Sequence, residues 1–393
     1  MIRQIGGLLS RGHEVDIYAF KGDPTEAVQE TVRSMGLLER TRYLKGVPED
    51  RFARHMGAMR ILCSPHFRHR RLALNVWRYG RGALASRIYW LNSAPKNGSY
   101  DVIHCQFAHN GVAAVWWRKA GFLSGKVVTT FHGADIACDA RSYAKYGYER
   151  LFDEGDAFTA NSRYTADRAV ALGCPRARIS VLPMGLDIEK YEFLERTSPG
   201  DRPVRLLTIA RLTKQKGIEF AIRAMAMLVQ SGRNVEYSIV GDGHDRPEFE
   251  HLIQELGLAG RVQLLGWKTE EQLRTVCRTA HLFILPSITG PNGQQEAQGV
   301  VFQEAQACGL PVVATRSGGI PESIVEGQSG FLVPEKDPEA LAERIGYLLD
   351  HPEMWPEMGR AGRRYVESKF EIGGLTDRLV GIYESLLNGK DSQ

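Results

Sequence analysis

The sequence predicts an α/β protein built from two doubly wound, Rossmann-like domains. Short apolar runs such as 281–287 and 310–315 recur between helix-length segments, the pattern of parallel strands buried on both faces. Strand alternating with helix at this spacing implies a parallel sheet covered by helices on both sides. A chain of 393 residues also exceeds what one hydrophobic core usually accommodates, so two domains are expected.

Taken in order, the chain begins with a helix over 2–9, stopped by Gly12, and a strand over 13–20. A helix over 24–35 and an arginine-rich stretch follow. Strands are expected over 102–107, 127–131, 157–162 and 179–183, with a helix over 111–120 between the first two and another between the last two. The polar run Thr197-Ser-Pro-Gly-Asp-Arg-Pro203 reads as a linker. Beyond it the same alternation returns, with strands over 204–210, 235–241, 262–266 and 281–287. Pro338 and acidic residues open an amphipathic helix over 337–349, and a last helix covers 375–388. The domains are therefore placed at 1–188 and 204–370, joined through 189–203, with 371–393 returning toward the first.

Composition excludes several classes. Hydrophobic residues make up 43% and charged residues 24%, ordinary values for a globular protein. No run of about 18 uncharged apolar residues exists, so no transmembrane helix is expected, and no signal-peptide pattern opens the chain. The six cysteines lie singly, without the spacing of a zinc site or a disulfide framework, which fits a reducing cytoplasm. A net charge of +4 is too small to argue for nucleic acid. The charge is uneven, however. Nine arginines and no acidic residue fall within 51–90, interleaved with Phe52, Met56, Met59, Trp77 and Trp90. Such a segment suits either an anionic membrane surface or an arginine-rich face paired with acids elsewhere.

The chemistry concentrates in 293–315. Between the strands over 281–287 and 310–315 lie a loop and a helix from near Gln298 to Cys308, stopped by Gly309 and Pro311. The helix N-terminus then emerges at the carboxyl edge of a parallel sheet, where anions bind. Glu296 in the loop and Glu304 in the helix are eight residues apart, about 12 Å at helical rise, the length of a diphosphate between two sugar rings. The amides near Gly299 and Val300 suit phosphates between them. Arg211 and Lys216, after the strand over 204–210, supply cations. Gly241-Asp-Gly243 after the next strand is a weak nucleotide signal or a plain turn. His132, at the end of the strand over 127–131, is a hydrogen-bonding candidate, and Asp135 either orients an acceptor or caps a helix.

Glu296 and Glu304 match the E-x7-E motif of retaining glycosyltransferases with the GT-B fold, of the large family-four type. The Ala307-Cys-Gly-Leu-Pro-Val-Val-Ala-Thr315 tail and Gly318-Gly-Ile-Pro-Glu322 belong to the same signature. More narrowly, the chain resembles bacterial exopolysaccharide enzymes of the colanic acid or amylovoran type. The resemblance implies two domains facing a cleft and a nucleotide-sugar donor, UDP- or GDP-linked. It assigns catalytic roles to His132, Arg211, Lys216 and Glu296, and donor contacts to Gly241, Gly243, Gly299, Val300 and Glu304. It implies retention by same-face attack, a lipid-linked saccharide acceptor, and a peripheral place on the inner face of the plasma membrane. No metal or other cofactor is expected, in keeping with the lack of an Asp-x-Asp motif. The family begins one strand and a glycine loop earlier, so the first sheet is expected to lack its central first strand. A nucleotide-sugar epimerase of the same fold and a non-catalytic sugar-nucleotide-binding protein are the alternatives.

Overall fold

The computed structural model describes residues 1–20, 30–44, 46, 48, 50–65, 70–74, 84–95, 98–137 and 147–389. They form two compact units. Unit 1 comprises Met1–Ala160, Ala166–Leu182 and Thr376–Gln393; unit 2 comprises Asn161–Thr165 and Pro183–Leu375.

Unit 1 opens with α1 (Ile2–Ser10), β1 (Ile17–Ala19), α2 (Glu30–Ser34) and β2 (Thr41–Tyr43). Helices α3 (Arg51–Cys63), α4 (Arg70–Ala73) and α5 (Leu84–Ser93) precede β3 (Gly98–Gln106), α6 (Ala108–Lys119) and β4 (Leu123–Phe131). Then come α7 (Tyr148–Glu154), β5 (Ala157–Ala160), α8 (Arg163–Ala171) and β6 (Ile179–Val181). All strand pairs are parallel. Among the described residues they form two sheets, β1–β2 and β3-β4-β5-β6, and no ladder joins them. A gap separates the two sheets among the described residues. Side chains bridge part of it: Tyr100 Oη donates to Asp16 at 2.8 Å and lies 2.8 Å from Tyr18 Oη. The core is α6, buried along most of its length, packed with Phe131, Phe152 and Phe158.

Unit 2 contains β7 (Val204–Ile209), α9 (Ile218–Gln230), β8 (Val235–Val240), α10 (Arg246–Glu255), β9 (Val262–Leu264) and α11 (Glu270–Thr279). β10 (Leu282–Leu285), α12 (Val300–Ala307), β11 (Val312–Thr315), β12 (Gly330–Val333), α13 (Pro338–Asp350) and α14 (Trp355–Phe370) follow; α15 (Ile372–Leu387), which belongs to unit 1 from Thr376 on, ends the chain's regular structure. Its parallel sheet has the order β12-β11-β10-β7-β8-β9. The chain winds outward from β7 to β9, then restarts at β10 on the other side of β7. The carboxyl ends of β7 and β10 thus form the topological switch point, where open α/β sheets bind ligands. Apolar faces of α9 and α13 cover one side of the sheet, and Phe302, Ala305 and Cys277 cover the other.

The elements differ from expectation in three places. β3 begins at Gly98 rather than 102, because a register shift between Ser99 and Val102 breaks the alternation a strand should show. The expected strand over 13–20 shortens to β1, and the first half of the expected helix over 24–35 lies outside the described residues. β12 and α14 were not expected at all. β12 has only Phe331, Leu332 and Val333 as its apolar signal, too short to read.

Candidate active site

The switch point is built by close backbone packing. Gly217 sits in the left-handed region at φ 65°, and a Cβ there would lie 1.7 Å from the Pro286 carbonyl oxygen. The loop leaving β7 therefore presses directly on the exit of β10, and the Ile288 N–H donates to the Gln215 carbonyl at 2.8 Å. This seats Lys216 beside the β10–α12 loop. Its Nζ makes an ion pair with Glu296 Oε2, both side chains being 19% exposed. Arg211 leaves the same β7 edge. It is exposed, and no ion pair engages its guanidinium among the described residues.

The Gly241-Asp242-Gly243 loop lies against that β7 exit. A Cβ on Gly241 would fall 1.9 Å from the Ala210 carbonyl oxygen, and one on Gly243 2.3 Å from that of Leu212. The Leu212 N–H donates to Asp242 O at 3.0 Å, and the Lys214 N–H to Asp245 Oδ2 at 2.7 Å. These glycines bring two loops into contact, which is what a plain strand-to-helix turn at this edge requires.

Gly299 caps α12 in the left-handed conformation, φ 73°, with no side-chain cap, and Val300 is the first helical residue. Glu296 thus stands outside the helix. Only the four steps from Val300 to Glu304 are helical, about 6 Å of rise, so the 12 Å helical estimate for the carboxylate spacing does not hold. Glu304 accepts a hydrogen bond from Tyr191 Oη at 2.9 Å.

Three further residues, Gly319, Glu335 and Gln298, hold the Glu296 loop. The Gly319 N–H donates to Glu296 O at 2.8 Å, and a Cβ on Gly319 would lie 1.9 Å from Ala297 O. Glu335, just past β12, accepts from the Thr289 N–H at 2.7 Å and the Thr289 hydroxyl at 2.9 Å. Gln298 pairs its amide with the Met184 backbone, accepting from N–H at 2.8 Å and donating to the carbonyl at 3.0 Å. The Gly318-Gly319 pair was a visible signal for this support; Glu335 and Gln298 had none.

In unit 1, His132 follows β4 and its Nε2 lies 2.8 Å from Gln106 Oε1. Burial, reinforced by the Met1 ammonium group, lowers its pKa to about 4, so the ring is neutral near pH 7. Phe107 packs its ring 4.5 Å from the His132 ring, from a backbone at φ 69°, ψ 144° that only glycine adopts readily. Asp135 spends one carboxylate oxygen on the Ala108 N–H at the start of α6, at 2.8 Å, and the other on the His132 N–H at 3.0 Å. Of the two roles open for Asp135, this geometry favours the cap. Burial raises its carboxyl above the ordinary range.

Comparison with known proteins agrees with this architecture. Residues 2–190 match the model for glycosyltransferase family 4, and residues 191–365 the model for glycosyl transferases group 1. The chain is 33% identical over 393 residues to the putative colanic acid biosynthesis glycosyltransferase WcaL of Salmonella typhimurium, covering 98% of this chain and 96% of that protein. It is 33% identical over 395 residues to the amylovoran biosynthesis glycosyltransferase AmsK of Erwinia amylovora, again covering 98% and 96%. Among solved structures, Anabaena HepE in complex with UDP and glucose superposes with a TM-score of 0.62 at 22% identity, over 73% of this chain and 78% of that one. This chain belongs to the family 4 glycosyltransferases, with a group 1 glycosyl transferase domain as its second half.

Proposed function

We propose that this glycosyltransferase moves a hexosyl group from a UDP- or GDP-linked sugar to a lipid-linked saccharide in exopolysaccharide or other cell-surface polysaccharide assembly. The observation that carries the reading is the placement of Lys216, Glu296 and Arg211 at the switch point of unit 2, beside the α12 N-terminus. The names of the colanic acid and amylovoran relatives support the pathway, and the UDP held by HepE supports the donor class.

In this reading Arg211, Lys216 and the amides of Gly299 and Val300 receive the donor diphosphate. Glu304 accepts ribose hydroxyls and Glu296 accepts hydroxyls of the transferred hexose. The acceptor oxygen attacks the anomeric carbon on the face of the leaving group. The carbon–oxygen bond to the diphosphate breaks, and the departing phosphate oxygen takes the acceptor proton. Cationic side chains, rather than a metal, balance the negative charge that develops on the diphosphate. His132 is assigned to a hydrogen bond with the donor sugar, a role that suits a neutral imidazole. The protein works peripherally on the inner face of the plasma membrane; no described helix is long and apolar enough to cross a membrane.

Proton NMR of the product formed from an α-linked donor tests the stereochemistry. An α-linkage is expected, with a rate unchanged by EDTA; a β-linkage, or a requirement for Mn2+, overturns the mechanism. Glu296→Gln should leave the affinity for free UDP or GDP within about twofold while transfer falls at least tenfold, as expected for a contact made to the hexose. Equal losses in both would mean that Glu296 contacts the nucleotide rather than the hexose.

A further inference from the structure

Helix α3 is apolar on two sides. Its inner side, through Gly57, Ala58 and Ile61, packs on α5, so closely that a Cβ on Gly57 would lie 1.8 Å from Tyr89 Oη. Its outer side carries Phe52, Met56 and Met59, which are 75%, 57% and 57% exposed. Positions i, i+4 and i+7 fall within about 60° of arc at 100° per residue, so the three side chains make one continuous stripe. Arg51 and Arg60 border it, one on each side, both exposed.

Charge decides what covers this stripe. The stretch 51–90 holds nine arginines and no acidic residue. Asp50, the nearest acid described, is spent capping α3 through the Ala53 N–H at 2.7 Å. An apolar ridge between cationic rails, on a helix already fixed to its domain by the opposite side, matches a surface that is anionic at its boundary and hydrocarbon just beneath. A protein partner would have to supply the apolar groove and a surrounding acidic rim together. We propose that the outer face of α3 docks on anionic lipid bilayers, with Phe52, Met56 and Met59 entering below the headgroups and Arg51 and Arg60 meeting the lipid phosphates. The proposal rests on the reading that the protein works at a membrane, and is independent of the transfer chemistry.

Co-sedimentation of the full chain with vesicles tests it. Binding is expected to vesicles of equal phosphatidylglycerol and phosphatidylcholine, weakening in 0.5 M NaCl (~3–5 Å screening length), and to be marginal on phosphatidylcholine alone. The triple variant F52S/M56S/M59S should bind at least tenfold more weakly, and each of R51Q and R60Q about fivefold more weakly. These side chains are exposed, so thermal unfolding should be unchanged, and Phe52→Trp should show blue-shifted emission on the anionic vesicles. Wild-type indifference to vesicles overturns the proposal, as does triple-variant binding equal to wild type, or binding to RNA or a protein in place of lipid. UDP and GDP affinities, measured on the same variants without vesicles, should not change. Vesicle binding without any sugar transfer would leave the docking face standing and remove only the reaction.

Discussion

Lys216 and Glu296 neutralise each other, each largely covered, while Arg211 is exposed. The Lys216 ammonium has three N–H donors, so in the proposed reaction it can meet the donor diphosphate while keeping Glu296. Glu304 accepts from the Tyr191 hydroxyl. Glu304→Ala should weaken UDP or GDP binding by about 1–3 kcal/mol, the range for losing a charged hydrogen-bond partner. Calorimetric titration checks this, and an unchanged dissociation constant would remove the ribose contact. His132 and His104, the latter on β3 with its Nε2 2.6 Å from Thr130 Oγ1, make a separate residue-scale prediction. Burial comes first for both in lowering the pKa to about 4, from an ordinary 6.5. The unfolded chain therefore takes up protons before the folded one does. The stability they contribute is complete above about pH 6.5 and is lost as pH falls toward 4. Urea midpoints at pH 7 and pH 5 should show this loss, and a His104→Asn, His132→Asn double variant should shrink the difference.

Among the elements, the loops rather than the helices fix the site. Gly217→Ala would set a Cβ against the Pro286 carbonyl in a left-handed conformation, and should destabilise unit 2 by more than about 2 kcal/mol. Denaturant unfolding measures it, and a cost within 0.5 kcal/mol (roughly that of a surface change) would contradict the packing described at the β7 exit. Legibility followed the same divide. β10 and β11 were readable from their short apolar runs, and β7 and β8 from β-branched and apolar residues interrupted by only one or two polar ones, all bounded by turn residues. The start of β3 was hidden by its register shift, and β12 by its brevity. Lys216 and Glu296 were legible as a basic residue and an acid at two strand exits. The contacts from Gln298 and Glu335 were not, because they depend on backbone atoms brought in from Met184 and Thr289, far along the chain.

On the scale of the whole molecule, the second half carries one uninterrupted six-stranded sheet, and the described part of the first half carries two smaller ones. Length and alternation foretold two doubly wound halves; the two separate sheets of unit 1 became visible only once strand pairs were known. Everything proposed about the reaction depends on a donor lying across the β7 and β10 exits of unit 2, along the start of α12. Amide hydrogen exchange with and without UDP- or GDP-sugar measures that placement directly. Protection is predicted within 210–217 and 296–304 when the donor binds, and Lys216→Ala should abolish it at the same donor concentration. Donor-dependent protection elsewhere, with both segments unchanged, would contradict the site.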